Sequence, residues 1–101
     1  MAAKSPRKLP TEVVVMGITI PVSRDVLPDS HGLFDIDERT GKCEIKIDSV
    51  LTDEYAEEIL FHEITHAVLH FSGLDAALKN DLDESVVKAL QLGLYPLYRR
   101  K

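Results

Sequence analysis

The chain contains a single cysteine, Cys43, among 101 residues, so no disulfide can form within it and a cysteine-rich zinc knuckle is excluded. A lone thiol fits a reducing compartment. Positive charge is also scarce: lysine and arginine number 12 against 17 aspartates and glutamates, a net charge of −5. A nucleic-acid binder needs a basic stripe to neutralise phosphates, and the interior of the sequence has none. The only basic clusters, "KSPRK" and "YRRK", lie at the two ends and read as solvated tails. No run approaches the ~18 consecutive apolar residues of a membrane span. The opening "MAAKSPRKLP" has no apolar stretch behind its basic residues, unlike a signal peptide. Internal repeats and low-complexity segments are missing as well. These absences point to a small cytoplasmic protein with neither nucleic acid nor membrane as a partner.

What remains has the length of one domain and an ordinary 45% of hydrophobic residues. A chain this short buries a modest core, so a bound metal would contribute appreciably to its stability. Residues 1–10 are polar, with Pro6 and Pro10, and are expected to form a disordered tail ahead of a single domain over 11–101. "TEVVVMGITIPV" is β-branched and interrupted by Gly17, which predicts two short strands around a turn or one bulged strand. Pro21 should end that segment or place it at a sheet edge. Pro28, Asp29, Ser30 and Gly32 mark a loop. "LFDID" and "CEIKID" then flank the turn residues "ERTGK" and read as a β-hairpin, with Cys43, Ile45 and Ile47 facing one way and Glu44 and Lys46 the other.

A long helix is predicted over Leu51 to Phe71. Thr52 suits its N-cap, acidic residues crowd its first turns, and Gly73 suits its C-terminal stop. At about 100° per residue, Leu60, Ile64, Ala67, Val68 and Phe71 share one apolar face. Tyr55, Ile59, His62, His66 and Leu69 share another, and Glu54, Glu58, Thr65 and Ser72 take the remaining side. A helix this apolar around its girth should be central. After the connector "LDAALKN" a second helix begins near Asp81, with Leu82, Val86, Ala89, Leu90, Gly93, Leu94 and Leu97 at helical spacing. Pro96 should end or kink it near Tyr95. The expected architecture is α+β: a small antiparallel or mixed sheet of about three strands, followed by the two helices.

The chemistry lies in "FHEITHAVLHFSG", which carries three of the four histidines. Within it "HEITH" matches H-E-x-x-H. His62 and His66, one helical turn apart at about 6 Å, can both reach one zinc ion, and Glu63 is the expected base for a metal-activated water. At this chain's histidine and glutamate content a chance match is roughly a one-in-a-hundred event. The plainer reading is a core helix whose histidines bond to backbone and water. Against it, two imidazoles in so apolar a helix need something to satisfy them. His70 is a poor third ligand, because it lies about 12 Å along a straight helix from His62; it is read as supporting a ligand, lining a cleft, or packing. Glu84, in the first turn of the second helix, is the better candidate. It also fits a capping box with Asp81 as N-cap, and Asp83 is a second carboxylate nearby.

The stretches "GLFDIDERTGKCEIKID", "EEILFHEITHAVLHFSGL" and "LDESVVKALQLGLYPLYR" together resemble the small phage- and prophage-encoded metallopeptidases of the zincin-like superfamily, minimal relatives of the ImmA/IrrE metallopeptidases. The resemblance covers about two-thirds of the chain. It departs from the family pattern at Phe61, where leucine is common, and at Pro96. It implies a minimal zincin-like domain with a gluzincin ligand set, zinc held by His62, His66 and Glu84. It further implies that Glu63 takes the proton of the attacking water and passes it to the leaving amine. The implied partner is a peptide or protein substrate, such as one regulatory protein, lying along an edge strand, with "GLFDID" expected as that strand. His31, Tyr55, His70 and Tyr95 are candidate donors to the developing oxyanion. Two other readings compete: a non-catalytic, zinc-stabilised module that binds a partner protein, and a metal-free helical-hairpin interaction domain. Small size favours the module; the intact Glu63 favours the peptidase.

Overall fold

The computed structural model describes residues 9–77 and 80–99. Most of the predicted N-terminal tail lies outside the described residues, but Leu9 is half-buried and packs against the core. The architecture is a small α+β domain with a mixed sheet of four strands, two long helices and one short helix.

β1 (Glu12–Val15) and β2 (Ile18–Asp25) form an antiparallel hairpin. Its turn residues Met16 and Gly17 both have positive φ, 50° and 81°, the backbone that matches the right-handed twist of the strands. The sequence segment therefore resolves into two strands, and the sheet has one more than expected. β2 is also longer than the sequence suggested, because Pro21 does not end it. Glu12 opposes Pro21, and the Val22 N–H donates to the Thr11 carbonyl at 2.9 Å. Successive N–H groups alternate sides, so the Pro21 nitrogen faces the other neighbour, where pairing starts only at Val22. The missing donor falls where the ladder does not need it. β2 thus pairs with β1 over its first half and, in parallel, with β4 (Cys43–Asp48) over its second.

β3 (Gly32–Ile36) pairs antiparallel with β4 as the expected hairpin, giving the order β1-β2-β4-β3. The intervening turn closes on Asp37, whose carbonyl accepts from Gly41 N–H at 2.7 Å and whose side chain accepts from Arg39 N–H at 2.9 Å. Gly32, marked as loop by its neighbouring turn residues, begins β3, an edge strand that starts where the expected "GLFDID" strand does.

Alternation along the strands sends Val15, Ile20, Val22, Ile45 and Ile47 to one face, where they meet Ala56, Ile59, Leu60 and Ala67 of α1 (Asp53–Phe71). Each fully buried isoleucine contributes roughly 1.5–3 kcal/mol. Thr52 caps α1, its hydroxyl accepting from Tyr55 N–H at 3.2 Å. Gly73 follows the helix with φ 81°, as its place predicted. Arg24 ties β2 to the entry of α1 through the Leu51 carbonyl at 2.6 Å and Asp53 at 3.2 Å.

The connector contains a short helix, α2 (Leu74–Ala77), and α3 (Asn80–Arg99) packs chiefly against α1. α3 differs from expectation in two ways. Its apolar stripe is largely exposed: Leu82, Leu94 and Leu97 are 52%, 49% and 60% accessible. Val87, Gln91 and Tyr95 are buried in its place. Of the two outcomes expected at Pro96, an end or a kink, the end does not occur, since α3 runs on to Arg99. Pro96 sits in the last turn on an exposed side, and the carbonyl it leaves unbonded belongs to Leu92, itself exposed to water. Among the described residues, no helix is long and apolar enough to cross a membrane.

Candidate metal centre

α1 is central, so its polar residues lie between layers. The side that carries Glu58, His62, Thr65 and His66 turns toward α3, while Ile59 and Glu63 turn toward the edge strand β3. Thr65, on the side of the helix left over from the two apolar faces, is buried and returns its hydroxyl to the Phe61 carbonyl at 2.9 Å. The first turns of α3 then bring two carboxylates to the histidines.

Glu84 bridges the two rings. One carboxylate oxygen is 3.0 Å from His62 Nε2 and the other 3.2 Å from His66 Nε2. The two imidazole centres are 5.0 Å apart. The candidate ligand atoms of His62, His66 and Glu84 all lie within 4.8 Å of one another. Ligands of a tetrahedral zinc at ~2.1 Å stand ~3.4 Å apart, so this donor set suits such an ion in type and would draw closer to hold one. Asp83 adds a second indication. Its Oδ1 is buried without a hydrogen-bond partner, 3.5 Å from His66 Nδ1. A proton on that nitrogen would satisfy it, and His66 Nε2 would then keep its lone pair for an ion shared with Glu84. His62 is supported from another direction: its Nδ1 is 2.7 Å from Gln91 Oε1, and Gln91 Nε2 donates to Glu58 at 2.8 Å.

Glu63 lies beside this group and does not share in it. It is 7% exposed, wedged between α1 and β3, where the Phe34 N–H donates to its carboxylate. Burial pushes its pKa up from 4.5 to about 7; nearby Glu84 adds to the rise, and His62 and the Phe34 N–H oppose it. Gly32 allows the close approach. A β-carbon there would stand 2.6 Å from Ile59 Cγ2 and 3.0 Å from a Glu63 oxygen. The Phe34 donor is free because of strand register. Asp48 N–H bonds His31 O and Asp37 N–H bonds Lys42 O. Gly32, Phe34 and Ile36 therefore turn their own backbone groups away from β4, along the open edge.

These parts line one cleft of about 840 Å³ that runs along β3. His31 and Tyr55, in edge-to-face contact at 5.5 Å, and His70, against Phe34 at 6.1 Å, all line it. Of the three roles considered for His70, lining the cleft and packing, against Phe34 and Phe71, are both seen. Tyr95 is elsewhere: it is buried, packs on Phe61 at 5.5 Å and bonds Glu57 at 3.3 Å, which removes it from the oxyanion candidates. The Asp81 side chain, and with it the capping-box alternative, lies outside the described residues. The structure thus brings together His62, Glu63, His66 and Glu84. Sequence reasoning missed Gln91, Gly32 and Lys88, which lines the cleft one turn beyond Glu84. The i, i+4 and i, i+7 steps from Glu84 to Lys88 and Gln91 were the only available signal.

Comparison with known protein families, with curated proteins and with solved structures finds no match to this chain.

Proposed function

We propose that the chain is a zinc-dependent peptidase built on a minimal zincin-like domain, with His62, His66 and Glu84 as ligands and Glu63 as general base. The observation that carries this reading is the meeting of Glu84 with both histidine Nε2 atoms beside a buried glutamate that stands outside the donor group. A purely structural site needs the three donors and has no use for Glu63. The resemblance of the hairpin, helix and closing helix to the phage-encoded metallopeptidases supports the same assignment.

Zinc bound there supplies a Lewis acid that acidifies a water molecule and polarises a peptide carbonyl. Glu63 receives the proton from the attacking water and delivers it to the leaving amine. A raised pKa suits both halves of that task, because a base near neutrality is also an acid near neutrality. The Phe34 N–H holds the carboxylate in place, and the open edge of β3 offers backbone groups to an extended peptide in the cleft.

The test is Glu63→Gln, nearly isosteric and unable to act as base, assayed against a diverse peptide library by mass spectrometry. The parent should cleave in a metal-dependent way. The variant should retain zinc and lose hydrolysis by ~10²–10⁴-fold. Cleavage that survives in the variant would overturn the mechanism. A zinc-loaded parent that cuts nothing would transfer the site to the partner-binding module.

A further inference from the structure

We infer that the outer face of α3 is an interface, and that its partner is a second copy of the chain lying antiparallel to it. The inference goes beyond the metal-centre reading and does not rest on it. Leu82, Val86, Ala89, Leu90, Gly93 and Leu97 fall within about 100° of arc on α3, on the side away from Gln91 and Tyr95, which hold the helix to α1. Leu82 and Leu97 are 52% and 60% accessible, Ala89 and Gly93 are exposed, and Val86 and Leu90 are half-buried. A continuous apolar stripe along four turns of helix is the pattern of a helix that packs on another, and here it faces outward.

The stripe is its own complement. About a two-fold axis between Ala89 and Leu90, Leu82 of one copy meets Leu97 of the other, Val86 meets Gly93, and Ala89 meets Leu90. Gly93 supports this pairing. It has ordinary helical backbone, where glycine weakens a helix relative to alanine, and a β-carbon there would meet nothing within 4 Å. Nothing among the described residues of the single chain requires a glycine at that point. The side chain of Val86 from a second helix does, because bare backbone lets the two axes draw close. Charge sets the direction. α3 opens with Asp81, Asp83 and Glu84, and the sequence at its other end is Arg99, Arg100 and Lys101. Antiparallel copies bring the acidic end of each near the basic end of the other and oppose the two helix dipoles, whereas parallel copies would gather like charges. One helix face per copy makes a small interface, so the pair separates on dilution and the stability of the single chain is unaffected.

Sedimentation equilibrium of the full chain between about 10 µM and 1 mM spans the affinities expected of so small an interface. The parent should pass from monomer to dimer across that range. Ala89→Glu, at an exposed position, sets two carboxylates together at the axis and should stay monomeric with unchanged circular dichroism. Val14→Glu, at an apolar position of β1 that is 65% exposed, should dimerise as the parent does. Disulfide trapping in a Cys43→Ser background reads the direction. Leu82→Cys mixed with Leu97→Cys should cross-link, and neither should cross-link alone, because about 22 Å of helix separates the two like positions. Leu82→Cys that cross-links with itself would make the pair parallel and overturn the inference. So would a parent that stays monomeric throughout, or an association that Val14→Glu abolishes and Ala89→Glu does not.

Discussion

Glu63 is a carboxyl group stored where its charge is costly, and this makes the metal-free chain sensitive to pH in a definite direction. Its folded-state pKa of about 7 lies above its ordinary 4.5, so between those values the folded chain holds more protons than the unfolded one. Stability is then fully present below pH ~4.5 and falls as pH rises through ~7, by up to ~3 kcal/mol for this group alone. Urea unfolding of the metal-free parent and of Glu63→Gln at pH 5 and pH 8 should show the parent losing ground to the variant as pH rises. A parent that gains on the variant would mean the charge is not buried. Gly32 makes the complementary claim about space. Gly32→Ala places a carbon 2.6 Å from Ile59 Cγ2 and against Glu63, and should cost roughly 1–3 kcal/mol by forcing β3 off α1. His62, Glu63 and His66 were legible in the sequence because helical spacing alone places them. Gln91 was not, and Asp83 was legible only as a carboxylate near Glu84, because their contacts depend on how α3 is rotated against α1, which no local pattern encodes.

That rotation is the main lesson at the scale of elements. The apolar spacing of α3 picks out Leu82, Val86, Leu90 and Leu97 as an inner face, yet the helix is turned roughly a third of a circle away from it. Val87, Gln91 and Tyr95 face inward, on the side that also brings Glu84 to the histidines. The consequence is measurable by chemical denaturation. Leu97→Ala, at a position 60% exposed, should change stability by no more than ~0.5 kcal/mol, whereas Val87→Ala, fully buried, should cost about 2 kcal/mol. The reverse ranking would mean that α3 packs as the sequence pattern suggested. The α1 boundaries and the β3–β4 hairpin were readable because their signals are local: Thr52 at the cap, Gly73 at the stop, and strict alternation in "CEIKID". The course of β2 was not, since whether a proline ends a strand depends on which side its nitrogen faces, and that is fixed only by partners distant in sequence.

In the molecule as a whole, the sheet and α1 form one core, and α3 attaches to it through few buried groups. The main apolar cluster draws on β1, β2, β4 and α1, while α3 adds Val87, Gln91 and Tyr95 at its junction with α1. An ion held by His62 and His66 on one helix and by Glu84 on the other would then tie α3 to the helix at the centre of the core. Its binding energy would act on α3 first. Hydrogen exchange on the zinc-loaded protein, before and after a strong chelator, should show amides of α3 losing protection while Ile45 and Ile47 in β4 keep theirs. Two substitutions check the ligand set in the same experiment. Glu84→Ala should mimic the chelator in α3, because it cuts the tie from that side. His70→Ala should leave α3 protected, because His70 meets Phe34 and Phe71 in the cleft and stands apart from the donor cluster. Protection in α3 that is indifferent to zinc, or that falls with His70→Ala and not with Glu84→Ala, would show that the two helices are held together by something other than these three side chains and their ion.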